Sequence, residues 1–437
     1  MVRTQPGRPS RAPAMARLLV LFVTAFVDMV GLAMVLPLLP YYATNFGANA
    51  AVVGLLISAF SVAQLASAPV WGRVSDRYGR RPAILVGLGI TAVAYVIFAY
   101  ANSVTLLLLS RVVQGLGGGT IGVVQAYVTD ASPPAQRTKS LGWLSAVTSL
   151  GAVVGPAFGS FMIDLGGPAA PGLGAAALSA LVAGFAWRFL RESRELRVSG
   201  THAPVDPITE RAAIWQVATR WREPAPRLIW IYAIAIGAFY GTVPTMPLLL
   251  DARLGITERE VGYVIMYLGG MGVVVRSLVL GRMVDWLGEA RLSRLGIVLL
   301  AAGLATVSVT HAVPVLLVAL TLMPLGTAFL FPCITGLLSR VVPGSQRGLY
   351  MGVQHTFGGV SRVVFPVGAG VLMDHFGLGV PFWISGALVL AMLPLTGALA
   401  GYLTGDARAA VAARRLSAAD LSGEILLDPS PDPAGDR

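Results

Sequence analysis

The chain has 437 residues, 55% of them hydrophobic and only 12% charged, with a mean hydropathy of +0.73. A soluble globular domain averages about 25% charged residues, so the composition excludes that class and implies a protein built inside a bilayer. The net charge of +11 is not a nucleic-acid footprint, because the Arg residues sit between apolar runs rather than in one patch. One Cys excludes an internal disulfide, and one Cys with four scattered His gives no metal-site spacing. Neither a metal nor a cofactor is expected.

Residues 1–17 are basic and Pro-rich. The apolar run after them is too long for a signal-peptide core and contains Asp28 and Pro37, so it reads as an uncleaved first span. A spanning helix needs about 20 mostly apolar residues. Twelve segments qualify, roughly 17–41, 51–71, 82–100, 104–128, 140–164, 171–190, 228–250, 259–280, 294–312, 314–339, 349–373 and 380–403. They predict an all-α integral membrane protein. Its expected parts are a six-helix bundle over 1–190, a polar central loop over 191–227, a second six-helix bundle over 228–403 and a tail over 404–437. The tail is polar and Pro-rich and is expected to be disordered. In the central loop, Asp206 suits a helix cap with Pro207 at the first helical position. Trp215 and Trp221 with Arg211, Arg220 and Arg222 suggest a short helix on the inner leaflet, an unstructured linker being the alternative.

Basic residues set orientation. With the N-terminus inside, cytoplasmic segments hold 27 of the 32 basic residues and external loops hold two, Arg253 and Arg259. Arg111, Arg276 and Arg362 fall within spans. Both termini are therefore expected in the cytoplasm.

The most polar knot lies between spans two and three, Gly72-Arg73-Val74-Ser75-Asp76-Arg77-Tyr78-Gly79-Arg80-Arg81-Pro82. It reads as a tight turn in which Gly72 ends the helix or packs closely, Gly79 allows a sharp reversal and Pro82 suits the first turn of the next helix. Part of the pattern recurs about 210 residues later as Gly281-Arg282-x-x-Asp285-x-x-Gly288. Pro37-Leu38-Leu39 recurs as Pro247-Leu248-Leu249, Arg137 and Gly142 as Arg347 and Gly352, and Asp164 as Asp374.

The G-x-x-x-D-R-x-G-R-R pattern after the second span resembles the signature loop of the major facilitator superfamily. Arg111-Val112-Val113-Gln114-Gly115 resembles the Arg-Gly motif of span four in that family. Gly151-x-x-x-Gly155-Pro156-x-x-Gly159 resembles the span-five motif found chiefly in proton-coupled exporters. Asp28 before Gly31 and Pro37-Leu38-Leu39-Pro40 is similar to the twelve-helix drug:proton antiporters, including tetracycline exporters. The resemblance implies two pseudo-symmetric six-helix bundles, a small-molecule substrate between them and a gating role for Gly72, Asp76, Arg77, Gly79, Arg80, Asp130 and Arg137. It covers the first half well and the second more loosely. Tetracycline exporters also carry carboxylates inside spans three and nine, where residues 82–100 and 294–312 have none. That argues against a tetracycline–metal substrate.

Among these residues, Asp28 is the only acid deep in a span, about 11 residues in, or roughly 16 Å. A carboxylate at that depth is costly to keep charged and usually functional, so it is the expected proton carrier. Arg111 is its expected partner, and a fixed Asp28–Arg111 ion pair is the alternative. Gly151, Gly155 and Gly159, four residues apart, form a groove for a neighbouring helix, and Pro156 bends it; all four are expected in the conformational gate, with ordinary small-residue packing the alternative. Gln114 and Gln125 share a face with Arg111, and His355 shares one with Arg362. These four, with Arg276, are the expected cavity residues; snorkelling at the helix end is the alternative for Arg276.

The sequence therefore predicts a secondary transporter, not an enzyme, in the plasma membrane and monomeric. Its partners would be a small molecule, protons and lipid, with no nucleic acid. Proton-coupled efflux of drug-like or amphiphilic compounds is the first expectation. A metabolite or organic-anion carrier is the alternative, and a transport-inactive sensor or membrane enzyme is a further one.

Overall fold

The computed structural model describes residues 11–133, 136–190, 192, 207–343 and 346–397. Among these, eleven helices are long and apolar enough to cross a bilayer, and a twelfth is shorter. They are α1 (Leu18–Asn45), α2 (Ala50–Tyr78), α3 (Arg80–Ala99), α4 (Val104–Ala131), α5 (Arg137–Gly166), α6 (Ala170–Phe189), α7 (Pro224–Leu254), α8 (Val261–Leu287), α9 (Glu289–Ser308), α10 (Val313–Val341), α11 (Arg347–Phe376) and α12 (Val380–Thr396). No strand forms among the described residues. The expected cap Asp206 and the expected tail over 404–437 lie outside them.

Several helices outrun the apolar segments that announced them. Gly72 to Tyr78, expected as a turn, is the last two turns of α2, and Gly72 has open space around it. The reversal is made by Gly79 alone, at φ +109°, where a side chain would be strained. Pro82 does fall in the first turn of α3. Likewise α8 continues past residue 280 to Leu287, because Arg282 and Asp285 are accommodated in the helix.

The repeat is written in the backbone. The six positive-φ glycines among the described residues form three pairs, Gly47 with Gly255, Gly79 with Gly288 and Gly167 with Gly377, at spacings of 208, 209 and 210 residues. Each pair follows equivalent helices of the two halves. α1 and α7 each tighten into a 3-10 turn, Leu36–Leu38 and Val243–Thr245, carrying Pro37 and Pro244. A proline there removes a backbone donor and breaks the regular ladder. This register matches Pro40 to Pro247. The sequence had matched Pro37 to Pro247, a three-residue slip that arises because prolines recur locally in both helices.

Within the halves, α1 packs on α5 and α6, α3 on α4 and α6, α9 on α10 and α12, and α7 on α11. Between them, α2 packs on α11 and α5 on α8. The central stretch forms a helix, Pro207–Thr219. Its Ala213 and Val217 are buried, Trp230 Nε1 donates to Val217 O at 2.9 Å, and the Tyr350 hydroxyl donates to Gln216 Oε1 at 3.1 Å. It is docked on α7 and α11 of the second bundle rather than lying free on the leaflet, while Trp215 and Trp221 stay exposed.

Candidate functional site

The glycine groove of α5 seats α1. A Cβ on Gly151, Gly155 or Gly159 would lie 2.6, 2.7 and 2.5 Å from the carbonyl oxygens of Phe26, Val30 and Met34. Contacts that close exclude any side chain at the three positions, so helix α1 is held at a fixed facing over three turns. Asp28 lies between the first two of those contacts and is half-buried. One turn on, the missing side chain of Gly31 makes room for Tyr95 of α3, whose hydroxyl would be 3.1 Å from a Cβ there.

Tyr95 is fully buried, next to the Gln114 amide and within electrostatic range of both Asp28 and Arg111. Arg111 and Gln114, on α4, are each 1% exposed. The Arg111 guanidinium stands 5.3 Å from the centre of the Phe98 ring. Arg111 Nε and Nη2 have no hydrogen-bond partner, while the Tyr95 hydroxyl and the Gln114 amide lie against each other. A buried polar atom left unpaired costs about 1–3 kcal/mol, so the bare guanidinium edge of Arg111 is a costly feature of this span. Asp28 and Arg111 form no ion pair among those of the described residues. Gln125 does not join them. The helix is interrupted between Gly118 and Ile121, and beyond that break Gln125 is exposed while Gln114 is buried.

The second half presents a different wall. The Arg362 Nε donates to Gly358 O at 3.4 Å, and its guanidinium lies 5.9 Å from the Tyr240 ring centre. Tyr232 is within electrostatic range of Arg362 and meets Phe331 edge-on at 5.6 Å. His355 is exposed on the same helix and also within range of Arg362. Tyr232 and Tyr240 escaped the sequence reading, although two tyrosines eight residues apart on one apolar helix were the available signal. The alternative of a helix-end position does not hold for Arg276. It sits mid-way along α8, exposed, in a π turn over Val275–Val279; such turns occur often at functional sites.

The two ends of the molecule differ. At the end away from the Arg-rich loops, the halves are sealed. The N–H groups of Ala50 and Ala51, at the start of α2, donate to the two carboxylate oxygens of Asp374 on α11, both at 2.9 Å. The Ser58 hydroxyl donates to Val363 O at 2.6 Å. Ser160 on α5 donates to Glu258 O at 2.9 Å and accepts from Gly262 N–H at 3.0 Å, and Asp164 faces Arg259 at 3.8 Å. Gly54 rests against Pro366 and Gly262 against Pro156, backbone on backbone. Contact between α2 and α11 persists as far as Leu65 and Gly359. Towards the Arg-rich end, Gly72, Gly352 and Gly348 all have open space. On this side no glycine of α2 or α11 meets the opposite half, and this end is called open.

There Asp76 is paired within its own half. Arg80 Nη1 reaches Asp76 at 3.0 Å and the Ser75 hydroxyl at 2.6 Å, and its Nε reaches Asp130 at 3.4 Å. Glu192 accepts from the N–H groups of Arg80 and Arg81 at 3.0 and 3.2 Å, placing an anion on the positive end of α3. No local pattern announced Glu192, which is 112 residues from Arg80. Arg77 lies over the Tyr78 ring at 5.4 Å, exposed. Arg137 begins α5 with its Nε buried and without a hydrogen bond.

Two helical bundles that meet at one end, each carrying charged groups at mid-span, have the architecture of a membrane transporter. The family model of the Major Facilitator Superfamily matches residues 21–307 and 228–426, and the chain belongs to that family. It is 29% identical over 385 residues to multidrug resistance protein 2 of Bacillus subtilis (strain 168), covering 86% of this chain and 94% of that one. It is 26% identical to the class B tetracycline resistance protein of Escherichia coli, over 83% of this chain and 88% of that one. Among solved structures, the human organic anion transporter MFSD10 superposes with a TM-score of 0.63 at 23% identity, covering 89% of this chain and 100% of that one. The nucleoside transporter NupG gives 0.72 at 13%, covering 87% and 98%.

Proposed function

We propose that the chain is a proton-coupled exporter of drug-like or amphiphilic small molecules, working by alternating access. The observation that carries this is Asp28, a lone mid-span carboxylate, half-buried and without an ion-pair partner. A permanently paired acid would stay charged; an unpaired one at membrane depth can take up and release a proton. Kinship with the multidrug and tetracycline resistance proteins supports the drug-like substrate. The basic bias supports cytoplasmic termini, which makes the open end the cytoplasmic one and the sealed end external. Reporter fusions at Gly7 and Gly435 should both read cytoplasmic; a periplasmic signal at either sinks that topology. The gate then works through Asp76, which faces the N-terminus of α11 near Arg347 and Gly348 in the outward-open state.

The test is substrate-dependent proton flux in proteoliposomes. Wild type should couple the two, and Asp28→Asn should still bind substrate but lose pH-gradient-driven transport. A mutant that still concentrates substrate on the proton gradient moves the carrier elsewhere, with His355 next. A second reading, a carrier of organic anions or metabolites, is favoured by the basic, aromatic wall of Arg362, His355, Tyr232 and Tyr240. A broad substrate screen with and without a pH gradient separates the two.

A further inference from the structure

We propose that Asp285, in the second copy of the Arg-rich turn, is the inner-gate acid of the second half. When the Arg-rich ends close it docks on Arg137 and Lys139 at the start of α5, and it holds that closed state more strongly than Asp76 does. The inference rests on the alternating-access reading of the two halves. Its basis is an exchange of charge between them. The turns at Gly79 and Gly288 are 209 residues apart, which makes Asp285 the counterpart of Asp76 and Glu289 the counterpart of Arg80. In the first half Arg80 reaches Asp76 at 3.0 Å and Asp130 at 3.4 Å. In the second half the signs are swapped: Glu289 receives Arg340, the counterpart of Asp130, at 2.7 Å. The junction between the two helices survives the swap, but Asp285 loses its partner. Its neighbour across the turn is now an acid, and like charges repel. Arg282, one turn before it, donates instead to Leu278 O at 3.1 Å. Asp285 is exposed and has no ion pair or hydrogen bond among the described residues.

The helices bring Asp285 and the start of α5 to one level. α5 and α8 run antiparallel, and a Cβ on Gly269 would lie 3.2 Å from Val153. From that contact Asp285 is 16 residues along α8 and Arg137 is 16 residues back along α5, about 24 Å each at 1.5 Å per residue. The facing is kept as well. Gly54 meets Pro366 and Gly262 meets Pro156 across the halves. Asp76 follows Gly54 by 22 residues, which leaves it about 40° from that facing at 100° per residue. Asp285 follows Gly262 by 23 residues, and a regular helix would turn it about 140° away. The π turn over Val275–Val279 takes up the extra residue and returns Asp285 to the facing of Asp76. The charge waiting there is also larger. α5 begins with Arg137 and Lys139, and Arg137 has a buried Nε without a hydrogen bond, whereas α11 begins with Arg347 alone. To reach α11, Asp76 must give up part of its hold on Arg80; Asp285 gives up no pair.

The readout is the rate at which a maleimide labels Gly352→Cys of the full chain in inverted vesicles, with Asp374→Asn added so that the outward-open state is populated. Gly352 lies on α11, away from the α5–α8 seam, so a change there reports closure of the whole end rather than local exposure. Asp285→Asn should raise the rate about two- to fivefold, and Asp76→Asn should raise it less. Asp285→Lys should raise it further. Adding Lys139→Asp should bring that rate part of the way back, and the recovery also shows that the single variant is folded. An unchanged rate in Asp285→Asn overturns the inference, as does a larger rise in Asp76→Asn or a failure of Lys139→Asp to reverse Asp285→Lys. A rate indifferent to Asp374→Asn, Asp76→Asn and Asp285→Asn alike would instead strike the alternating-access reading, and the inference with it.

Discussion

The α1–α5 joint and the α7–α11 joint occupy equivalent places in the two halves, but size is distributed across them differently. In the first half the glycines are on α5, where Gly151, Gly155 and Gly159 seat the backbone of α1. In the second half Gly237 and Gly241 on α7 seat the Phe365 side chain of α11, and Gly358 on α11 seats Tyr232 of α7. Phe365 stands 210 residues after Gly155, so one position is empty in one joint and filled by an aromatic ring in the other. What the two halves share is the closeness of the helices, not the residue that provides it. The difference extends to the chemistry. The tight first joint carries the acid, and the second carries Arg362, His355 and the tyrosines.

The comparison can be broken most severely at Gly155. Gly155→Leu should force α1 off α5, at a cost of about 3 kcal/mol or more. Little folded protein should survive detergent extraction, and thermal unfolding of what remains should start well below wild type. Phe365→Ala should cost about 3 kcal/mol, the low end for emptying an aromatic site, since Phe365 is only partly buried. The sharper version moves the ring across the joint. Phe365→Gly with Gly237→Phe should recover part of the stability lost by Phe365→Gly alone, read as melting temperature; no recovery would mean that the ring is needed on α11 for another reason.

Smaller effects are expected at the two ends. Losing one carboxylate from an exposed helix N-terminus is worth about 0.3–1 kcal/mol, a shift of up to about fivefold in a two-state equilibrium. The native thiol Cys333 is 2% exposed, so a cysteine at Gly352, which faces open space, can report the state of the Arg-rich end. Asp374→Asn weakens the seal and should lower labelling of Gly352→Cys. Asp76→Asn weakens the opposite, outward-open state and should raise labelling, while expressing normally and transporting poorly. Shifts of the same sign in both mutants would refute the assignment of the two aspartates to opposite states. The smallest effect is Arg362→Gln, expected to weaken transport of anionic amphiphiles a few-fold and of matched cations less. Uptake into inverted vesicles checks this.

Much of the fold was legible because membrane spans and helix reversals have local signatures. Long apolar runs gave all twelve helices, the twelfth ending short of its run, and Gly79 gave the reversal. Boundaries drifted where charged residues such as Arg73, Asp76 and Arg282 stay helical beyond the apolar core. Asp28, Arg111 and the α5 glycines could be found because a charge or a four-residue glycine period inside an apolar run is conspicuous. Tyr95 was not, since a tyrosine in a hydrophobic span looks like packing until its neighbours are known. Glu192 and Phe365 depend on partners far away in the chain, and their complementarity leaves no local pattern.

The Asp374 clasp has a mechanical consequence. Helix α2 is continuous from Ala50 to Tyr78 and touches α11 as far as Leu65. Taken as a pivot, Leu65 leaves an arm of about 22 Å to Ala50 and about 16 Å to Asp76, at 1.5 Å per residue. A degree of tilt then moves the Ala50 tip by about 0.4 Å, and a hydrogen bond of 2.9 Å is spent by about 3.5 Å. Less than about 2° of rocking therefore releases both bonds together. Such a clasp has no half-open setting: it holds until the tilt begins and then offers no resistance for the rest of the stroke.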